Sequence, residues 1–314
     1  MLAFVLRRAG HGAIVLLGVT VVVFALLHLV PGDPVRVALG TRFTQQSYDA
    51  LRAASGLDRP LLEQYVGYLT SALTGDLGGS FRSGQPVTAI LLERLPATVS
   101  LGLAAMVVAL AIAFPLGVYA ARRQGRLADA VVRVVSQVGV SVPDFWLGIM
   151  FILLFSVTLG WLPPSGYVPI TDDPVQWLRR VLMPALAVGL VSGSILTRFV
   201  RSAVLEALGS DHARTARAKG LRDRVVMGRH VVRNAMVPIV TIMGVQAASL
   251  LGGIIVVEVV FAWPGLGRLT FDAVAARDYP VVQGAVLLIA VIFLLVSFLV
   301  DVLYGLIDPR ISVR

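Results

Sequence analysis

The sequence contains no cysteine. That excludes disulfides, thiolate zinc sites, cysteine-ligated iron–sulfur clusters and cysteine nucleophiles. Charge is scarce as well: Asp, Glu, Lys and Arg make up 14% of the 314 residues, where a soluble domain carries about 25%. Of the 27 Lys and Arg residues only Lys219 is a lysine. It stands outside any G-x-x-x-x-G-K-[ST] loop, so the chain has no P-loop with which to hydrolyse a nucleotide. Neither H-E-x-x-H nor G-x-S-x-G occurs, and no embedded Ser/His or paired-Asp arrangement has a familiar catalytic spacing. The four histidines (His11, His28, His212 and His230) are scattered and read as interfacial or surface residues. No catalytic, cofactor-binding or metal-binding residue is expected in this chain.

The abundant class is apolar: hydrophobic residues make up 57% and mean hydropathy is +0.85. A water-soluble globule of this size could not enclose so many apolar side chains, so the chain is expected to be an all-α, polytopic membrane protein. A span needs about 20 mostly apolar residues. Uncharged runs of that kind cover 9–30, 95–121, 181–197, 234–257 and 279–300. A sixth, from 134 to about 159, is interrupted only by Pro143 and Asp144. Six transmembrane helices are therefore expected. The first run follows Arg7-Arg8, as a secretory signal would. It is too long for one, and it leads into Pro31-Gly32-Asp33-Pro34 instead of a small-residue cleavage site.

Placing both termini in the cytoplasm collects 17 basic residues on that side, against five acidic ones. The basic residues are Arg7, Arg8, Arg122, Arg123, Arg126, Arg133, nine from Arg198 to Arg233, Arg310 and Arg314; the acids are Asp129, Glu206, Asp211, Asp223 and Asp308. The opposite side carries ten of each sign, and Asp144, Glu258 and Asp301 lie in or at the ends of spans. The whole net charge of +9 thus falls on one side, as the positive-inside rule requires. Topology accounts for the excess, and nucleic-acid binding has no support.

The connections divide the chain into residues 1–94, a helix plus a long external segment, and 95–314, a core of five helices. The external segment 31–94 is too long for a turn and has a helix-like stretch at 59–73. Residues 160–180 are rich in proline and aromatics, with Trp161, Tyr167 and Trp177 expected at headgroup level. The cytoplasmic segment 198–233 carries Ala and Leu at helical spacing over 204–219, stops at Gly220, and resumes over 221–232. Two short amphipathic helices hinged at that glycine fit either a positive-inside lipid anchor or a docking element for a soluble partner.

A series of motifs runs in order along the chain. Arg7-Arg8 and Leu29-Val30-Pro31-Gly32-Asp33-Pro34 come first, then Leu95-Pro96-Ala97-Thr98 and Ser141-Val142-Pro143-Asp144-Phe145-Trp146. The cytoplasmic piece is Thr215-Ala216-Arg217-Ala218-Lys219-Gly220-Leu221, followed by Arg229-His230 and Arg233-Asn234-Ala235. Glu258, Phe261, Trp263-Pro264-Gly265-Leu266-Gly267, Arg277-Asp278-Tyr279-Pro280 and Asp308-Pro309-Arg310 close it. In this series the chain resembles the membrane-spanning permease subunits of ATP-binding-cassette importers of dipeptides and oligopeptides.

The resemblance implies a type I importer permease fold in a bacterial inner membrane. It implies a second homologous permease, two ATPase subunits or one double-headed one, an external solute-binding protein and a peptide substrate, with ATP and Mg²⁺ bound by the partners. It makes 198–233 the loop of a coupling helix, with Asp211, Arg214, Thr215, Ala216, Arg217, Lys219 and Gly220 facing the ATPase. The general permease pattern has Glu six residues before the glycine. Here that position is Arg214, which leaves docking in place and removes any Glu-specific salt bridge. Cargo of the nickel-chelate or glutathione kind would use the same architecture, and a non-transporting receptor or sensor is the reading from another class.

The pathway candidates are Asp144, Gln246 and Ser249, because polar groups at membrane depth are costly unless they face a cavity or a partner. Asp144 either lines a wet path beside the Pro143 break or sits at the cytoplasmic interface before a later-starting span. Gly189 and Gly193, and Gly244, Ala248 and Gly252, have the spacing of close helix contacts. Glu258, Trp263, Pro264, Gly265 and Gly267 read either as an external turn at the membrane surface, near the mouth where a binding protein delivers substrate, or as a rigid turn positioning the last two spans.

Overall fold

The computed structural model describes residues 2–307, with the side chains of 6–300 except those of 42 and 251. The Asp308-Pro309-Arg310 motif and Arg314 lie outside the described residues. In chain order the helices are α1 (Leu2–Leu29), α2 (Pro34–Leu39), α3 (Gln45–Ala54), α4 (Leu61–Leu73), α5 (Val87–Arg122), α6 (Leu127–Ser141) and α7 (Asp144–Phe151). A π-helical segment, Ile152–Thr158, continues α7. Next come α8 (Pro174–Gly209), α9 (Asp211–Ala218) and α10 (Asp223–Val225), which a second π segment, Val226–Val232, joins to α11 (Arg233–Val260). The last two are α12 (Leu266–Ala275) and α13 (Tyr279–Ile307).

Among the described residues, five helices are long and apolar enough to cross a membrane. The sixth run is a broken pair, α6 and α7 with its π segment, bent by 93°. Val142 is extended, as a residue before proline prefers, and Pro143 has no N–H to continue the ladder. The two arms are 15 residues each; at 1.5 Å per residue neither exceeds about 22 Å, short of a ~30 Å hydrocarbon core. Neither arm alone is long enough to cross. Asp144 is the first residue of the second arm, so it stands at the bend itself.

Local chemistry sets several helix starts. Asp33 and Asp173 each precede a proline at the first helical position, and each caps its helix through Oδ1, at 2.9 and 3.3 Å for α2 and 3.0 and 3.0 Å for α8. The missing proline N–H is one that the first turn leaves unbonded anyway.

The chain folds into two compact units, Met1–Thr98 with Pro264–Leu294, and Val99–Trp263 with Leu295–Arg314. In the first, α4 lies on α1: Tyr65 Oη and Thr20 Oγ1 share a hydrogen bond of 3.0 Å, and His28 Nε2 pairs with Gln64 Oε1 at 3.2 Å. Its core joins Val87 and Leu91 of α5 to Leu266 and Ala273 of α12 and Val281, Val282 and Ala285 of α13. The buried carboxylate of Asp278 accepts from Ser80 Oγ and from the Phe81 N–H, fastening the turn before α5 to the α12–α13 connection.

In the second unit α8 is central. The share of its most apolar window that is buried is 61%, against 11–28% in the other four candidate spans. Small residues make that possible. A Cβ at Gly189 would stand 2.6 Å from Val108 Cγ1, one at Gly193 3.1 Å from the Ala109 carbonyl, and one at Gly117 2.7 Å from Val200. Gly244 of α11 meets Val300 of α13 as closely, whereas Gly252 has no atom within 4 Å of the place a Cβ would take. The close-packing reading therefore holds at Gly189, Gly193 and Gly244 but not at Gly252. Of the loop aromatics, Trp161 is exposed and Tyr167 is turned inward onto Trp263.

The segment 198–233 corrects the expectation of two short helices. α8 runs unbroken to Gly209, and only 211–218 forms a separate helix. The stretch 221–232 is not independent, because from Asp223 onward it is the start of the long helical rod that becomes α11.

Candidate functional site

α9 is a two-turn amphipathic helix. Ser210 separates it from α8 with extended dihedrals, and the Ser210 hydroxyl donates to the Ala207 carbonyl at 2.7 Å, satisfying the end of α8. Ala213 and Ala216, three residues apart, are 1% and 4% exposed and pack in one cluster with Val204, Val226, Val231 and Ala235. Asp211, Arg214, Thr215, Arg217 and Lys219 are all exposed. Asp211 stands in the first turn and Arg217 in the last, each placed favourably for the helix dipole. The Arg214–Asp211 contact, at 3.8 Å between two open side chains, adds little stability but keeps both signs on the outer face.

The helix ends in a Schellman turn. Gly220 has φ +74°, its N–H donates to the Arg217 carbonyl at 2.9 Å, and the Leu221 N–H donates to the Ala216 carbonyl at 3.3 Å. A left-handed residue is what this turn requires, and glycine adopts it without a Cβ penalty. Beside α9 lies a polar cavity of about 480 Å³, lined among others by Arg122, Arg126, Arg217 and Asp223.

Of the seven residues expected to face a partner, six are exposed and one is not. Ala216 is a buried anchor; its methyl group fits the core formed with the α10–α11 rod and is not available for outside contact.

The pathway candidates converge in part. Asp144 Oδ2 lies 3.7 Å from the place a Cβ would take on Gly253. Gln246, Ser249 and Gly253 share one face of α11 by helical spacing. Asp144 Oδ1 accepts from the Phe145 N–H at 2.7 Å, and Ser249 Oγ, on an exposed side chain, donates to the Val245 carbonyl at 2.9 Å. Gln246 is half-buried.

Of the two readings of the Trp263 segment, its burial fits the rigid turn. Glu258, Trp263, Gly265 and Gly267 are buried, and only Pro264 is half-open. The Trp263 indole stacks edge-on against Tyr167 at 4.8 Å, and the Trp263 backbone N–H donates to the Glu258 carbonyl at 2.8 Å. Phe261 fills the space left by Gly148, where a Cβ would come within 2.9 Å of the ring. The Leu266 N–H donates to Thr98 Oγ1 at 2.7 Å. Burying two large aromatics outweighs presenting them, so in this chain the segment is a packed corner.

Two features had no signature in the sequence. Asp129, which is buried, and Arg201, 72 positions away, form a bidentate pair at 2.6 and 2.8 Å. A cavity of about 460 Å³ opens in the first unit between α1, α4 and the start of α13, with Arg59, Glu63 and Asp76 at its wall and Phe24, Tyr68 and Tyr279 as its aromatic lining. No spacing rule links these residues; only tertiary contact does.

Comparison with known proteins agrees with this architecture. Residues 113–313 match the family model described as binding-protein-dependent transport system inner membrane component. Residues 1–102 match the model of its N-terminal region. The dipeptide transport system permease protein DppB of Escherichia coli is 41% identical, over 99% of both chains. A putative peptide transport system permease protein of Brucella abortus and the di/tripeptide transport system permease protein DppB of Pseudomonas aeruginosa are also 41% identical, over 99% of both chains. A solved inward-facing structure of the MetNI methionine ABC transporter shares the fold, with a TM-score of 0.57 at 17% identity over 70% of this chain and 96% of that one. With both family models matched and full-length relatives at this identity, the chain belongs to the binding-protein-dependent transport system inner membrane component family.

Proposed function

We propose that this chain forms half of the transmembrane pathway of an ATP-driven importer of di- or oligopeptides. With the bent α6–α7 pair counted as one span beside the five continuous ones, the chain would cross six times with both termini in the cytoplasm, the side the positive-inside rule favours. The assembly would add a second homologous permease, two ATPase subunits and an external solute-binding protein. The peptide cargo follows from the curated relatives, which are named for dipeptides, di/tripeptides and peptides. Nothing in those names favours nickel chelates, glutathione or a sensor.

The observation that carries the coupling role is the division of α9 into a buried alanine edge and an exposed charged face. A helix held only by its own charges would yield under load. This one is seated on Ala213 and Ala216 and closed by the Gly220 turn, so force on Arg214, Thr215, Arg217 and Lys219 passes to α8 through Ser210 and to α11 through Leu221 and Arg222. Small side chains let a partner approach closely, and the few charges fix its register. The ATPase supplies the hydrolysis of ATP with Mg²⁺; this chain supplies the lever and the path. Asp144 at the bend, beside the Gln246–Ser249 face, is the place where such a movement would alter an aqueous route.

The test is co-purification from detergent-solubilised membranes. Wild type is expected to retain an ATPase subunit, and Thr215→Asp/Lys219→Glu to lose it by at least about tenfold. Binding-protein-stimulated ATPase activity and dipeptide uptake in proteoliposomes should fall with it. Wild type that retains no ATPase after mild cross-linking would overturn the reading.

A further inference from the structure

On the basic side of the second unit, α6 and α8 enclose a pocket of about 220 Å³ lined by Arg133, Gln137, Arg198, Arg201 and Ser202. Three of its five residues are arginines, and no acid lines it. The acid nearest to it is already committed. Asp129 accepts the Arg201 guanidinium in a bidentate pair and accepts the Gly125 N–H at 3.1 Å, while Arg133 stands 3.8 Å away. Arg201 is accordingly held, 18% exposed, and Arg133 is open at 57%. Arg198 makes a neutral contact, donating from Nη1 to Gln137 Oε1 at 3.4 Å. Three cations and one carboxylate leave the pocket two positive charges in excess. Guanidinium planes with a hydroxyl and an amide beside them are the donor set that phosphate oxygens take.

The depth of the pocket is set by the sequence. Arg198 follows the apolar run that ends at Thr197, and Arg133 precedes the one that begins at Val134. Both therefore stand where hydrocarbon gives way to water. Apolar side chains flank the pocket on the hydrocarbon side of this boundary: Val134 and Val138 of α6, next to Gln137 by helical spacing, are exposed, as is Phe199 of α8. A soluble anion would need only the arginines. A phospholipid needs a basic cradle at the interface with an apolar track beside it, and basic pockets between helices on the cytoplasmic side are the known form of such sites.

We infer that the α6–α8 pocket binds the phosphate of an anionic phospholipid, of the phosphatidylglycerol or cardiolipin class, with its acyl chains laid along the exposed valines of α6. The site lies apart from α9, and bound lipid would brace the Asp129–Arg201 junction between α6 and α8. Its failure and that of the importer reading are separable, because lipid binding is read without an ATPase.

The experiment uses the purified full-length chain in detergent, titrated with phosphatidylglycerol, phosphatidylcholine or inorganic phosphate and followed by native mass spectrometry and thermal unfolding. Phosphatidylglycerol is expected to bind and raise the melting temperature, while the other two have little effect. At about fivefold per arginine near a membrane surface, Arg133→Gln/Arg198→Gln should weaken phosphatidylglycerol binding roughly 25-fold. Arg122→Gln/Arg123→Gln, with the same loss of charge, should leave it within about twofold. Arg198→Lys, which keeps the charge, should retain most of the binding and guards against a variant that merely misfolds. Equal stabilisation by phosphatidylcholine, an equal response to phosphate alone, or equal losses in the two double variants would each overturn the assignment.

Discussion

The α9 helix and the Trp263–Gly267 segment are both short, motif-bearing stretches that follow a long helix, and they resolve in opposite ways. α9 buries two alanines and exposes its charges. The Trp263 segment buries its aromatic residue and two of its glycines. The difference follows from side-chain size. A methyl group can seat a helix while leaving its opposite face open, whereas an indole removes so much apolar surface from water that its burial dominates the local structure. Motif density alone therefore does not separate a contact surface from a packing corner. The size and polarity of the residues within the motif do.

The largest test of that contrast is Trp263→Ala. Removing a fully buried indole from contact with Tyr167 is expected to destabilise the protein by about 3–5 kcal/mol, read as a drop in thermal unfolding temperature in detergent. Thr215→Asp/Lys219→Glu, by contrast, should leave that temperature within a degree or so of wild type, since exposed substitutions change stability by no more than about 0.5 kcal/mol. If the α9 variant proves as unstable as Trp263→Ala, the two segments do not differ as argued.

A middle-sized effect isolates the backbone of α9. No atom lies within 4 Å of the place a Cβ would take on Gly220, so Gly220→Ala meets only the strain of a left-handed residue, about 1–2 kcal/mol. Hydrogen exchange over 211–220 should accelerate roughly five- to 30-fold, the equivalent of that strain, with global unfolding little changed. Unaltered exchange would mean that the turn relaxes without loss.

The smallest effect concerns Asp33, a motif residue that is only half-buried and, unlike Trp263, is held by polar contacts. Burial pushes its carboxyl up, yet the Tyr48 hydroxyl, the Arg36 and Val35 N–H groups and the Arg52 charge together hold it below its ordinary value. A lowered carboxyl stabilises the fold above its unfolded pKa and loses that contribution as pH falls through the folded one. Protection of the 34–54 region against hydrogen exchange should therefore decline as pH drops below about 4, after correction for intrinsic exchange. In Asp33→Asn it should be lower at neutral pH and flat through that range. Parallel profiles would remove Asp33 from the clasp.

Much of this was legible in the chain order of residues. Apolar runs gave the five continuous spans, Pro143 gave the break in the sixth, and Gly220 gave the end of α9, because each depends on local chemistry. The extent of helices beyond their apolar runs was not legible. α8 continues to Gly209 and the α11 rod begins near Asp223, as charged residues extend a helix once its core is anchored. The burial of Ala216 could not be foreseen either, since α9 taken alone has no preferred side until α8 and α11 supply one.

By itself the sequence determined that the chain is helical, that it belongs in a membrane, and that its positive charge gathers in particular connecting segments. Those properties follow from transfer free energies and from the period of the backbone. The tertiary structure alone decided which motif faces outward, which glycines are crossed by a neighbouring helix, and that Asp129 meets Arg201 across 72 positions of chain. Such pairings depend on how distant helices pack, and no local residue pattern encodes the distance between them.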